Sequence, residues 1–306
     1  SSAASDVYKR QRIRPVPISD SPNHFCRFRA HQAIRVPRPP FAWDFCSPDF
    51  GLLRASPRCD ADRLQRVDVA EAMNLPKVVL HDHLDGGLRP ATVLELAAQR
   101  GRPVPAQTPE DLATWFFESA DSGSLARYLD TFTETVGLMQ DADSLRRIAR
   151  EFVVDMATDG VIYAEARWAP QQHLTGGLSA AAATEAVQAG LVDGMESASR
   201  SGATIIARQI LCLMRHLDVP EDVVDLAVNH APGVVGVDIA GPEDGFPLTP
   251  FTNALTRIQA AGIHLTVHAG EAAGPESVLD ALNHGAERLG HGVRILSLIH
   301  ISEPTR

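Results

Sequence analysis

His81-Asp82-His83-Leu84-Asp85-Gly86-Gly87-Leu88-Arg89-Pro90 is the stretch around which the chain is organised, and it follows the apolar run Lys77-Val78-Val79-Leu80. A short β-branched run ending in turn residues reads as a buried strand. Side chains two apart on a strand share a face, so His81 and His83 point together from its carboxyl end. Asp85, Gly86 and Gly87 then turn the chain, and Pro90 suits the first turn of a helix. Two imidazoles so placed are a candidate metal pair, although His-x-His by itself is equally the mark of packed or solvated histidines. The preceding strand, the acidic glycine turn and further histidines at later strand ends favour the metal.

From Val161 onward the pattern is regular. Apolar strand candidates lie at 161–166, 204–211, 234–239, 263–268 and 286–290, separated by helical stretches near 179–200, 220–230, 250–261 and 275–284. Strands alternating with helices predict parallel β/α units. Before them, Thr108 and Pro109 open one helix, and Asp141 or Asp143 opens another that Gly160 ends. Tyr128, Leu129, Phe132, Val136 and Met139, and then Leu145, Ile148, Phe152, Val153 and Met156, recur at helical spacing and read as core faces.

Each strand end carries polar residues that a core would not choose: His81, His83 and Asp85; Glu165 and Arg167; Arg215 and His216; Asp238 to Glu243; His268 and Glu271; His291. In a β/α barrel these ends converge on one face, where active sites are built. Glu165 and Arg167 are expected to pair with each other beneath the site. His173, His216, His230, His264 and His284 are expected at the surface, in packing or behind the site, with His216 the foremost of them.

The chain has 306 residues, 44% hydrophobic and 22% charged, enough for one large α/β barrel or two average domains. It shows no apolar run long enough to span a membrane and no secretory signal core. Cys26, Cys46, Cys59 and Cys212 lack CxxC spacing, which argues against a disulfide framework or a zinc-thiolate site and for a reducing cytoplasm. Residues 1–68 carry 12 Lys/Arg against 7 Asp/Glu, whereas the remainder carries 16 against 31. A basic arm beside an acidic domain is one pattern of nucleic-acid binding. However, residues 1–68 also hold 8 of the 21 prolines and no sustained periodicity, so they are read as a disordered or non-native leader. Ser1 to Gln11 and Leu296 to Arg306 resemble translated sequencing-library adapter. The expected organisation is therefore a leader at 1–68, a partial barrel at 69–295 and a non-native tail at 296–306.

His81-Asp82-His83-Leu84-Asp85-Gly86, Gly236-Val237-Asp238-Ile239-Ala240-Gly241, His268-Ala269-Gly270-Glu271 and Gly290-His291-Gly292 resemble the successive signatures of the adenosine deaminase family. Tyr163 to Arg167 and Cys212 to His216 fit as well, and the likeness runs in order from about residue 73 to 295. The resemblance implies a (β/α)8 barrel of the amidohydrolase type and hydrolytic deamination of adenosine and deoxyadenosine to inosine and ammonia. It implies one Zn2+ held by His81, His83 and His268, a metal that lowers the pKa of bound water to about 7. His291 matches the residue beside that water, and Glu271 the acid that protonates purine N1, for which a buried, raised carboxyl is expected. His83 and Asp85 match contacts to the ribose 5′-hydroxyl and the Gly241 backbone a contact to purine N3; Asp85 as a turn residue and Gly241 as a simple tight turn are the bland alternatives. The implied partner is a small-molecule purine nucleoside, with no nucleic acid, no membrane and no oligomeric state specified.

Two departures from the family pattern stand out. Pro242 replaces an acidic residue, and nothing after Ile295 matches the last two barrel strands, the second of which ends in paired aspartates, one completing the zinc site. About six of eight strands are thus expected, with the first and sixth as unpaired edges. Adenine deaminase, and a truncated fragment without catalysis, are the alternative readings.

Overall fold

Lys77–His83 (β1), Val161–Trp168 (β2), Ile206–Met214 (β3), Val234–Ala240 (β4), Leu265–Ala269 (β5) and Arg288–His291 (β6) form one parallel sheet in which spatial order follows chain order. The structure, a computed structural model, describes residues 75–220 and 222–294. The expected leader and tail, with Cys26, Cys46 and Cys59, lie outside the described residues. Among the described residues β1 and β6 each pair on one side only, as expected for edge strands.

Side-chain ties cross this curved sheet between strands, two of them between strands that are not neighbours. Arg167 of β2 donates to Asp238 of β4 at 2.7 Å and to the Leu80 carbonyl of β1 at 2.6 Å. Arg288 of β6 forms an ion pair with Glu165 of β2, which also accepts from the Tyr163 hydroxyl at 3.1 Å. Glu165 and Arg167 therefore do not pair with each other. Two residues of strand separate their Cα atoms by roughly 7 Å, and each finds a closer opposite charge across the barrel.

The remaining wall is helical. Pro90–Arg100 (α1), Pro109–Ala120 (α2), Leu125–Val136 (α3) and Ala142–Thr158 (α4) fill the long first connection; Ala180–Arg200 (α5), Val223–Asn229 (α6), Thr252–Ala260 (α7) and Pro275–Asn283 (α8) follow the later strands. Thr108 caps α2 by accepting from the Asp111 amide at 3.1 Å, and Asp141 caps α4 by accepting from the Ser144 amide at 2.8 Å. Leu145, Ile148, Phe152, Val153 and Met156 of α4 are fully buried, as their spacing predicts. Against them lies α5, whose Gly190 and Gly194 permit the approach: a Cβ on Gly190 would sit 2.2 Å from the Arg146 carbonyl oxygen.

The stripe on α3 is a different case. Tyr128, Leu129 and Phe132 are half-buried, and the Phe132 ring lies 6.0 Å from that of His83. This face roofs the carboxyl end of β1 rather than entering the core, and only Met139, just beyond the helix, is fully buried.

Every strand runs one to three residues further toward its carboxyl end than its apolar pattern predicts. Among the extra residues are the polar Asp82, His83, Arg167 and His291, at which hydrophobic alternation stops while the ladder pairing continues. Those are the residues that build the site.

Candidate metal and purine site

Four imidazoles meet where β1, β5 and β6 end. Ring centroids lie 4.6 Å apart for His81 and His268, 4.9 Å for His81 and His291, 5.1 Å for His268 and His291, and 5.1 Å for His83 and His268. His83 Nε2 stands 3.1 Å from His268 Nε2, and ring nitrogens of His81, His268 and His291 all fall within 4.8 Å of one another.

Gly290 makes the junction between β6 and β1 possible. A Cβ there would lie 2.9 Å from His81 Cε1 and 3.3 Å from the His268 backbone. The next residue, His291, adopts φ +65, a left-handed conformation that a non-glycine residue holds only under tertiary constraint. The strain aims its ring back at the cluster.

As hydrogen-bonding groups the four rings satisfy one another poorly. Two facing nitrogens share a single proton, and His81 Nε2 is buried with no partner among the described residues. As a donor set they fit a divalent cation well, because a metal takes the neutral imidazole. Burial, then the Arg167 charge and the neighbouring rings, hold His81 far below the ordinary histidine pKa. Burial followed by His268 and Arg167 does the same for His83. Burial followed by His268 pushes His291 down to about 3.

Behind the rings stands a carboxylate to which sequence reading assigned no role. His268 Nδ1 donates to Asp238, 3.1 Å from Oδ1 and 3.0 Å from Oδ2, which leaves the His268 Nε2 lone pair facing the cluster. Asp238 is fully buried, and although burial alone would raise its pKa, His268 and Arg167 outweigh that and bring it to about 2. A single aspartate inside the apolar run Val234–Ala240, in a strand covered on both faces, had to find a charge partner, and this is the signal that marked it.

Glu271 reaches His291, with Oε2 3.4 Å from Nε2. Burial, reinforced by Glu243 and opposed by His268, pushes its carboxyl above the usual range. Glu243, which the sequence places at the end of β4, is likewise given no role there. It is 4% exposed and accepts from the amides of Gly270, Glu271, Ala272 and Ala273 and from the Ser277 hydroxyl.

Asp85, 3% exposed, lies beside His83, with Oδ1 4.0 Å from His83 Nδ1. Its other neighbour is His173, fully buried, whose Nε2 is 3.7 Å away and whose Nδ1 contacts the Met139 carbonyl at 2.9 Å. His173, not the exposed His216, is thus the histidine behind this part of the site. Gly241 stands apart from the rings. It turns the chain after β4 at φ +93, and its nearest side chains are His216 and Met214. No helix among the described residues is long and apolar enough to cross a membrane.

Comparison with known proteins places this geometry. The adenosine deaminase family model matches residues 76–298. The adenosine deaminase of Mycolicibacterium vanbaalenii is 49% identical over 229 residues, covering 74% of this chain and 63% of that protein. Among solved structures, an amidohydrolase of Burkhoderia ambifaria with bound Zn superimposes with a TM-score of 0.65 at 30% identity, over 78% of this chain and 66% of that one. The arabidopsis N6-mAMP deaminase superimposes with a TM-score of 0.61 at 30% identity, over 72% and 66%. This chain therefore spans less than two thirds of the length of the curated relative it matches. Six parallel strands joined by helices, four clustered imidazoles at their carboxyl ends and a continuous match over residues 76–298 lead to one conclusion: the chain belongs to the adenosine deaminase family.

Proposed function

We propose that this chain is the larger part of a zinc-dependent hydrolase that deaminates adenosine and deoxyadenosine to inosine and ammonia. The observation that carries the reading is the convergence of four imidazoles at three strand ends, with Asp238 behind one and Glu271 beside another. His81, His83 and His268 would hold the metal, and a relative of similar fold carries bound Zn. Bound there, zinc supplies a Lewis acid that makes water nucleophilic near neutral pH.

The chain's own groups do the rest. Asp238 keeps the His268 Nδ1 proton in place, so that Nε2 stays available as a donor to the metal. His291, held neutral, accepts a proton from the attacking water at a ring nitrogen. Glu271, whose carboxyl burial favours in the protonated form, delivers its proton to purine N1 and relieves the charge that addition at C6 builds on the ring. Asp85 and His83 face the sugar 5′-hydroxyl, and the Gly241 amide backbone serves purine N3. Phe132 and Tyr128 of α3 keep water from the face above His83. We assign the protein to the cytoplasm, where the buried free thiol of Cys212 is stable.

The deciding experiment compares hydrolysis of adenosine, adenine and AMP with zinc supplied, using this chain and a version carrying the rest of the family's length. Preference for adenosine is expected, and preference for free adenine would overturn the substrate assignment. Full activity of the shorter chain would show that the residues beyond it are dispensable.

A further inference from the structure

We infer that Glu243 is a positioning residue for the reaction: its carboxylate, by gathering four successive backbone amides, fixes the loop that aims Glu271. The inference rests on the proposed acid role of Glu271 and concerns a residue that never touches substrate. Gly270 N donates to Glu243 Oε1 at 2.6 Å, while the amides of Glu271, Ala272 and Ala273 donate to Oε2 at 2.9, 2.7 and 3.0 Å. The Ser277 hydroxyl, at the start of α8, adds a fifth donor. Successive amides converging in this way form a concave anion site of the kind that usually holds a phosphate or other external anion. Here the anion is internal.

Among the described residues the loop has few other bonds to hold it. All four amides are spent on Glu243, and Gly270 enters at φ +72 with a hydrogen bond from the Arg294 amide to its carbonyl. Burial alone would raise the Glu243 pKa, but the Ser277 hydroxyl and the amides outweigh it and keep the carboxylate charged. The segment Asp238 to Glu243 thus supports two points of the next strand end at once. Asp238 orients His268, and five residues on, Glu243 orients the backbone three residues beyond His268. The two supports differ in kind, since Asp238 grips a side chain and Glu243 grips only main chain. The sequence of the loop, Ala272-Ala273-Gly274, contributes no polar side chain that could replace it.

Because charge-assisted hydrogen bonds are strong and directional, an uncharged replacement at the same place should loosen the loop without emptying the imidazole cluster. A glutamine keeps one acceptor oxygen but turns an NH2 toward amide donors. Displacing a proton donor by about 1 Å costs about 100-fold in rate.

Three measurements on the full chain with zinc test this. In Glu243→Gln, kcat for adenosine should fall about 100-fold, with KM within about threefold and zinc content unchanged. In Glu243→Ala, added formate should restore kcat by at least 10-fold, while chloride should not. Amide hydrogen exchange at residues 270–273 should accelerate at least 10-fold in both variants and slow again with formate in the alanine variant. An unchanged kcat, or a loss expressed only in KM, overturns the inference. If neither the wild-type chain nor the version carrying the rest of the family's length turns over adenosine, the proposed function fails; the exchange measurement then decides the inference alone, unchanged exchange at 270–273 overturning it. If the alanine variant does not fold, the glutamine variant carries both the kinetic and the exchange criteria.

Discussion

His268 Nδ1 and Asp238 Oδ2 stand 3.0 Å apart in a pocket where Asp238 has no exposure at all. The same carboxylate takes Arg167 Nη1 at 2.7 Å. One aspartate therefore sets the tautomer of a proposed metal ligand and neutralises a fully buried guanidinium, so its loss is felt twice.

Asp238→Asn should retain the shape of the site yet weaken zinc binding by about 10- to 100-fold, since the His268 proton loses its anionic acceptor. It should also destabilise the fold by about 3–5 kcal/mol, because Arg167 is left buried without a counter-charge. Competition with a chromophoric chelator measures the first and urea unfolding the second. Wild-type zinc affinity in the variant would separate Asp238 from the metal.

Gly290→Ala tests the junction of β6 with β1. Its Cβ would lie 2.9 Å from His81 Cε1, with rigid His268 backbone on the other side. The His81 ring must move, at a cost of about 1–3 kcal/mol in stability, and zinc affinity should fall with it. Thermal unfolding with and without zinc reads both effects, and unchanged values would show that the ring has room to give.

The proposed function divides the four histidines by role. Replacing His81, His83 or His268 by alanine should abolish stoichiometric zinc, whereas His291→Ala should keep zinc and lose turnover. Metal content after gel filtration decides the assignment. Because His291 lies with His81 and His268 within 4.8 Å, the opposite result for His83 and His291 would exchange their roles.

Glu271→Gln removes a proton without changing size. Zinc should remain bound while kcat for adenosine falls by about 100-fold or more, the usual scale of general acid catalysis. Retained turnover would take Glu271 out of the acid role.

The cap of α4 gives a pH signature. Burial raises the Asp141 pKa, but hydrogen bonds from Ser144 and the charge of Arg100 outweigh it and hold it below its ordinary value. A carboxylate depressed in the folded state contributes stability that is fully present above its unfolded pKa and is lost as pH falls through the folded one. Asp141→Ala should therefore cost about 1 kcal/mol at neutral pH, and the difference from wild type should shrink in acid. Urea midpoints at several pH values check the sign; a gap that widens in acid would contradict it.

Much of this was legible in the residues. The strand of Lys77 to His83 announces itself by β-branched residues and a glycine turn, although Val78 and Leu80 stand exposed on this edge strand rather than buried as expected. The caps Thr108 and Asp141 announce themselves by local chemistry that a few neighbours complete. The partners of charged residues were not so legible. Glu165 and Arg167 invite pairing along the chain, yet each is claimed by a residue more than seventy positions away. The apolar stripe of Tyr128, Leu129 and Phe132 looks like core because periodicity reports a face and not what covers it.

By itself, then, the order of residues determined the alternation of strand and helix, and it placed four histidines and Glu271 at the carboxyl ends of strands, because period-two hydrophobicity and turn chemistry are local. Only the tertiary structure decided which nitrogens face one another, that Asp238 and Glu243 stand behind them, and that His291 is strained toward them. Those outcomes depend on desolvation and charge pairing between segments distant in sequence, where a buried carboxylate must accept whatever donors the fold brings to it.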